Sequence, residues 1–197
     1  MDYLSFILTV LLVSLSGVLM PGPVFATAIA EGRKNRHAGL FIATGHAIIE
    51  VPIIIALFFI GAFQLNALVR GAIGIAGGMV LIYFAISSIK EGKEDAKKLR
   101  GVIAGIALSS LNPYFIMWWI TVGLVLAIKA TFFGFIGLVS LIFFHEICDF
   151  TWYEFVTLLS NKGAGFSKVE KLLSIVSFIL MMFFGIYFLY DGIKVII

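Results

Sequence analysis

Long runs of apolar residues with few charges inside them constrain this chain more than any other feature. A helix needs about 20 consecutive apolar residues to cross the hydrocarbon core of a bilayer. The alternation typical of β-barrel strands is absent, so these runs predict helices. We therefore predict an all-α fold, a polytopic membrane protein in which residues 1–197 form a single integral membrane domain. The six predicted transmembrane helices span roughly 4–29, 38–63, 68–89, 101–127, 132–159 and 172–193.

The composition excludes several other classes of protein. Hydrophobic residues make up 61% of the chain and charged residues 13%, against about 45–50% and about 25% in soluble domains. A soluble fold could not bury that surplus, which excludes a soluble enzyme, a disordered chain and a nucleic-acid binder. The single Cys148 rules out an internal disulfide and a CxxC pair, and so argues against a membrane thiol–disulfide carrier.

The distribution of Lys and Arg predicts the orientation in the membrane. Eleven of these residues fall in the alternate loops near 33–36, 90–100 and 162–171, and three fall on the opposite side. Cytoplasmic loops are rich in Lys and Arg, so both termini are expected outside. The first run could instead be a signal peptide, but Asp2 stands where a basic segment would be expected.

The two halves of the chain carry similar landmarks in the same order. Residues 82–84 and 186–188 both read Ile-Tyr-Phe, and each triplet is followed at the same offset by Ile-Lys. Three spans in each half is an odd number, so the second half must enter the membrane the other way up. We predict two inverted three-helix repeats, a pattern typical of secondary transporters. They cover about 1–90 and about 101–197, with a charged cytoplasmic linker at about 90–100.

Proline interrupts the first and fourth runs at matching places. Proline lacks an N–H, and its ring clashes with the carbonyl four residues back, so both helices are predicted to break. A broken helix in lipid is tolerated where its freed backbone groups are buried or face a cavity, and its ends can then face a substrate. A packing kink is the alternative. The candidate substrate or coupling residues at the breaks are Pro21, Gly22, Pro23, Asn112, Pro113 and Tyr114.

Two His–carboxylate pairs lie near the middle of the second and fifth runs. His46 and Glu50 are one helical turn apart, as are His145 and Asp149, so each pair shares a helix face. Ionisable groups at this depth usually face a partner or a water-filled cavity. In an inverted repeat the pairs would converge, where they could bind a cationic group and exchange protons, since histidine titrates near neutral pH. The alternatives are a structural tie between helices, or a divalent-metal site made by all four residues.

Further residues of the fifth run could extend this site. Glu146 neighbours the second pair and could join it, whereas Glu154 lies nearer the cytoplasmic end, where it could snorkel or pair with a Lys. Trp152 sits too deep for an interfacial belt and is a candidate substrate contact, although aromatic residues more often pack. Gly74-x-x-x-Gly78 and Gly101-x-x-x-Gly105 allow close helix contact, either within the bundle or in a homodimer.

The chain resembles the LysE/RhtB family of amino-acid exporters over essentially its whole length. The resemblance is carried by Pro21-Gly22-Pro23 near the end of the first run, by the six runs and by the size of the chain, 197 residues. Leu111-Asn112-Pro113 opens the fourth run, where the family commonly has Asn-Pro-Lys. Residues 45–50 and 145–153 resemble the corresponding stretches of archaeal members of the family. Tyr114 stands where the Lys is common, which puts a substrate-carboxylate or coupling role of that position in doubt.

The resemblance implies a secondary active transporter of a prokaryotic plasma membrane. It would export amino acids or small derivatives by exchange with protons, and it needs no cofactor. The wider superfamily also includes cadmium and manganese exporters, so a divalent-cation exporter using His46, Glu50, His145 and Asp149 is the alternative. No catalytic constellation or ATP-binding loop is present in the sequence. This argues against a third reading, a membrane enzyme or assembly factor.

Overall fold

The computed structural model describes residues 2–62, 66–88, 100–163, 165 and 167–197, and these residues form nine α-helices and no strand. A π-helical segment, Trp119–Gly123, joins α6 to α7. The helices are α1 (Tyr3–Val18), α2 (Pro23–Gly32), α3 (Ala38–Ala62), α4 (Ala67–Ser88), α5 (Gly101–Ser110), α6 (Pro113–Trp118), α7 (Leu124–Thr131), α8 (Gly134–Asn161) and α9 (Ser167–Ile196). The predicted all-α class is confirmed.

Several of these helices are long and apolar enough to cross a membrane. In the described part of the chain four pass on their own, and the bent pair of α1 and α2 makes a fifth candidate. The six predicted spans are therefore not all reached. The predicted span at 68–89 is the one that no candidate covers, since Ala67–Tyr83 counts only as a shorter apolar helix. The predicted span at 101–127 divides at Asn112-Pro113 into the short helix Gly101–Ser110 and the candidate Tyr114–Thr131. The four candidates are Ala38–Gly61, Tyr114–Thr131, Gly134–Asn161 and Phe178–Ile196.

The first helix breaks at the predicted Pro-Gly-Pro sequence. α1 ends at Val18, and α2 begins with Pro23 at its first helical position, where a missing N–H costs nothing. The two segments are bent by 74° relative to one another. The fourth helix breaks as well: α5 ends at Ser110, and Pro113 begins α6.

Close glycine contacts set the register of two antiparallel helix pairs. In α4 and α9, a Cβ on Gly71 would meet the backbone of Gly192, and a Cβ on Gly78 would meet that of Gly185. In α3 and α8, Gly39 lies against the backbone of Tyr153, whereas Glu50, further along α3, faces His145, which comes earlier in α8. The glycines of the predicted 74–78 motif thus pack within the bundle.

The outer face of the bundle is apolar, and its interior contains two clusters of buried side chains. Large hydrophobic residues such as Phe59 and Phe135 are 58% and 76% exposed, as expected of helices that face lipid. One cluster contains Trp118 and Trp119 of the fourth span, and the other contains Phe25 and residues of α3, α5 and α8. The predicted charged linker lies outside the described residues except at its last residue, Arg100.

Candidate functional site

A polar cavity lies between the two helix breaks and the centres of α3 and α8. It comprises about 820 Å³ of space free of protein atoms, its opening included. No Lys or Arg belongs to the part of its wall that the structure describes. The polar lining consists of Ser14, His46, Glu50, Ser109, Asn112, His145 and Asp149. The aromatic lining consists of Phe25, Tyr114, Phe115, Trp118, Trp119 and Tyr153.

The two His–carboxylate pairs meet in this cavity. Within the pairs, His46 Nε2 lies 3.1 Å from Glu50 Oε1, and His145 Nε2 lies 3.4 Å from Asp149 Oδ2. Between the pairs, His145 Nε2 lies 3.3 Å from Glu50 Oε1, and His46 Nε2 lies 3.9 Å from Asp149 Oδ1. All four side chains are buried. The antiparallel crossing of α3 and α8 brings them together.

Each histidine is also held by a serine from the opposite half of the chain. Ser109 Oγ of α5 lies 2.5 Å from His46 Nδ1, and Ser14 Oγ of α1 lies 2.6 Å from His145 Nδ1. Both serines belong to the segment that precedes a helix break. The Nδ1 atom of each ring is thereby occupied, which turns Nε2 toward the carboxylates.

The hydrogen bonds around Ser109 determine where one proton resides. The hydroxyl donates its only proton to the Gly105 carbonyl at 2.6 Å, so it must accept from His46 Nδ1. His46 Nδ1 therefore carries a proton. The contact between His46 Nε2 and Glu50 then needs one further proton, because a bare nitrogen and a carboxylate are both acceptors. That proton can reside on either group, so the pair can hold or release it.

Glycine contacts position this network. A Cβ on Gly45 would overlap the Val102 carbonyl of α5, and a Cβ on Gly105 would overlap the Ile42 carbonyl of α3. The two backbones can approach only because neither residue has a side chain. This approach brings Ser109 within hydrogen-bond distance of His46.

Glu50 contacts both histidines and a tryptophan. Its Oε1 atom accepts a hydrogen bond from Trp119 Nε1 at 2.8 Å, in addition to facing both histidines. Its Oε2 atom is buried and has no hydrogen-bond partner among the described residues. The His145 ring meets the Trp119 ring edge-on, with ring centroids 4.9 Å apart. Buried carboxylate oxygens beside aromatic rings suit a cationic ligand.

Most of the residues predicted at the helix breaks contribute to the cavity wall. Pro21, Gly22, Pro23, Asn112 and Tyr114 line it, and Pro113 starts α6 beside it. Asn112 also caps α6, since its Oδ1 accepts the Tyr114 N–H at 3.0 Å.

Trp152 is a correction to the predicted site. It lies outside the cavity wall and stacks on Phe25, with ring centroids 6.0 Å apart. Tyr153 lines the cavity instead. The reason is helical spacing: Tyr153 continues the four-residue step from His145 through Asp149, so it shares their face.

The two further carboxylates of α8 also differ from expectation. Glu146 lies in a separate apolar groove on α8, with neither of its oxygens hydrogen-bonded within the described residues. Among the described residues Glu154 pairs with a histidine: its Oε1 atom lies 2.5 Å from His37 Nδ1.

Three residues of the cluster have atoms arranged as metal ligands could be. One ligand atom from each of His46, Glu50 and Asp149 lies within 4.8 Å of the others. His145 is not part of this group, so the predicted set of four is reduced to three in the described structure.

No site role was predicted from the sequence for two serines and two tryptophans. Ser14, Ser109, Trp118 and Trp119 all line the cavity. A serine hydroxyl in an apolar run can donate its hydrogen bond to a carbonyl of its own helix, so the presence of a serine alone does not indicate a site. The position of both serines just before a helix break is the signal that could have identified them.

Comparison with known proteins identifies one family. The sequence model of a family described as LysE type translocator matches residues 15–192. Neither the curated proteins nor the solved structures contain a significant match to the chain.

Proposed function

Because the chain belongs to the LysE type translocator family, we propose that it is a secondary active transporter that exports amino acids or small amino-acid derivatives. One observation carries this proposal: four ionisable side chains from the two halves converge in one buried cavity beside both helix breaks. Buried ionisable groups in a membrane protein usually mark a substrate or ion pathway. The chain is a multi-pass membrane protein, and we place it in a prokaryotic plasma membrane with both termini outside.

The proposed architecture is two inverted repeats of three spans, with α1–α2 and α5–α7 as the broken first span of each. The antiparallel register of α3 with α8, and of α4 with α9, supports this arrangement. The crosswise serine–histidine bonds support it too, because each repeat holds the histidine of the other. Access would alternate as one repeat rocks against the other around the cavity. The homodimer stays a prediction.

In the proposed mechanism Glu50 and Asp149 bind the substrate's ammonium group. His46 and Glu50 share one proton, and an ammonium group arriving at Glu50 competes with that proton for the same oxygens. Substrate and proton would therefore occupy the cluster in turn, which is the condition for antiport. Proton entry from outside would drive substrate exit.

Transport by reconstituted protein tests this proposal. Proteoliposomes loaded with radiolabelled amino acids should release one or more of them faster under an inwardly directed proton gradient. Glu50→Gln and Asp149→Asn should abolish gradient-driven release. Glu154→Gln is the matched control, since it makes the same chemical change on α8 but at a residue that pairs with His37 outside the cavity, and it should transport normally. Full transport by both cluster variants would disprove the coupling role.

A divalent cation is the second candidate substrate, because His46, Glu50 and Asp149 could supply three ligands. Under this alternative, Mn²⁺, Zn²⁺ or Cd²⁺ would stabilise the detergent-purified protein against heat, and amino acids would not. His46→Ala would remove the stabilisation. Stabilisation by an amino acid and by no metal would reject the cation.

A further inference from the structure

We propose that the N-terminus of α2, together with the indole N–H of Trp118, forms the binding site for the substrate's carboxylate. This inference rests on the proposed function and deepens it by dividing the cavity into two subsites. The ammonium group binds at Glu50 and Asp149, and the carboxylate binds at the first helix break.

The charges in the cavity require such a division. A free amino acid carries an ammonium and a carboxylate, and the cluster offers two carboxylates that suit only the ammonium. The described wall contains no Lys or Arg that could neutralise the other end. The ring nitrogens of the two histidines are already engaged, Nδ1 with the serines and Nε2 with the carboxylates. Uncharged donors are therefore left to hold the substrate's carboxylate, and backbone N–H groups at a helix N-terminus are such donors.

The N-terminus of α2 is open toward the cavity. Gly22 precedes the helix and has no side chain with which to cap it, and Pro23 has no N–H. The Val24 N–H has no partner within the helix, because the first-turn amides of any helix have none. Gly22, Pro23 and Val24 all line the cavity. The partial positive charge of this end of the helix favours an anion.

Trp118 supplies an independent observation of a missing acceptor. Its side chain is 4% exposed and lines the same cavity, yet its Nε1–H has no hydrogen-bond partner among the described residues. The indole nitrogen lies beside Gly17, 3.3 Å from where a Cβ on that residue would stand. It is therefore next to the end of α1, where the break that leads to α2 begins. Buried indole N–H groups usually find an acceptor, and a carboxylate oxygen would provide one.

A buried acceptor without a partner marks the opposite subsite. Glu50 is 1% exposed, and its Oε2 atom accepts no hydrogen bond in the part of the chain that the structure describes. The cavity wall thus contains an unpaired donor at the helix break and an unpaired acceptor at the cluster. A zwitterionic amino acid complements both, whereas an amine complements the acceptor alone.

Three pairs of small molecules test the inference. In each pair an amino acid is compared with the amine that lacks its carboxylate. The pairs are lysine and cadaverine, leucine and 3-methylbutylamine, and phenylalanine and phenethylamine. Dissociation constants are measured by calorimetry on the full chain in detergent. For the side chain that binds best, the amino acid should bind about tenfold or more tightly than its amine, as expected for charge-assisted hydrogen bonds.

Three variants localise the preference. Gly22→Asp places an acceptor at the cap position, where a Cβ has nothing within 4 Å and where the backbone is extended, at φ −158°. It should reduce the ratio of amine to amino-acid dissociation constants to about one or below. Gly22→Ala adds a methyl group without an acceptor and should keep the ratio, whatever it does to each affinity. Trp118→Phe removes the indole donor and should lower the ratio while leaving amine binding measurable.

The outcomes separate this inference from the proposed function. If amines bind as tightly as amino acids, or if Gly22→Asp and Gly22→Ala change the ratio alike, the carboxylate subsite is wrong while the cationic site survives. If no amino acid or amine binds and a divalent metal does, both the inference and the amino-acid proposal fail. Should Trp118→Phe not fold, the two Gly22 variants still decide the question.

Discussion

Both helix breaks are made by proline, but the helices that follow them are capped differently. In the second half, Asn112 caps α6 with its own side chain, so this helix start is satisfied within the protein. In the first half, Gly22 leaves the start of α2 without a side-chain cap. Both ends border the same cavity. One helix start is thus satisfied within the protein and the other is not capped by a side chain, which is the difference on which the proposed carboxylate subsite rests.

The serines before the breaks differ in a related way. Ser109 both accepts from His46 and donates to the Gly105 carbonyl, so its hydrogen-bond direction is determined. Ser14 bonds His145, and either of the two atoms could be the donor. The hydrogen bonding of the second half is thus the more constrained, and Gly105 of that half makes the backbone contact that holds α5 against α3.

The largest effect on stability is expected from adding a methyl group at Gly105, shortly before the second helix break. Gly105→Ala would place a Cβ on backbone atoms of Ile42 and His46, and such overpacking typically costs about 1–3 kcal/mol or more. Gly22→Ala meets no atom within 4 Å and should leave thermal stability nearly unchanged. Thermal unfolding of both variants in the same detergent measures the difference. Equal midpoints would show that the backbone contact of α3 and α5 is not close.

Removing the two serines should have the next largest effect. Ser109→Ala leaves the His46 Nδ1–H buried without an acceptor, which costs about 1–3 kcal/mol. Ser14→Ala should cost less, because the direction of the Ser14–His145 bond is not fixed and His145 can keep its proton on Nε2, where Glu50 and Asp149 accept it. Unfolding midpoints of the two variants test this order. A larger loss in Ser14→Ala would reverse the assignment of the more constrained half.

Loss of the cap on α6 should cost about 1 kcal/mol. Asn112→Ala removes the acceptor of the Tyr114 N–H, whereas Asn112→Asp retains one and adds a charge that suits a helix N-terminus. Asn112→Asp should therefore stay close to the natural protein in stability. If both variants are equally destabilised, the role of Asn112 is not capping.

The smallest effect on stability is expected from adding a side-chain cap to α2. Gly22→Ser would cap α2 and stabilise the unliganded protein by only about a few tenths of a kcal/mol. The same change should weaken amino-acid binding, because the hydroxyl occupies an N–H that the substrate needs. Stability and affinity would then move in opposite directions, as measured by unfolding and calorimetry. Parallel gains in both would remove the contrast between the two breaks.

Patterns along the chain predicted much of the fold. Apolar runs predicted helices, and prolines predicted where two of them break, because both effects act within a few residues. The i, i+4 pairs placed each histidine on the same face as its carboxylate for the same reason. The count of six spans is not reached in the described part of the chain, because the span predicted at 68–89 contributes only the shorter apolar helix Ala67–Tyr83.

The composition of the site depended on how the helices cross. Trp152 and Tyr153 are neighbours in sequence, and only the second lies on the face of α8 that meets α3. The partners of His46 and His145 lie 63 and 131 residues away along the chain, beyond the reach of any local pattern.

The sequence by itself determined an apolar helical chain with two broken helices and two His–carboxylate pairs, because these properties follow from the hydropathy, geometry and hydrogen bonding of adjacent residues. Only the tertiary structure decided that the pairs share one cavity, that each histidine takes a serine of the other half, and that one helix start is capped while the other has no side-chain cap. Those features depend on backbone approach at glycines such as Gly45 and Gly105. That approach depends on the packing of distant segments.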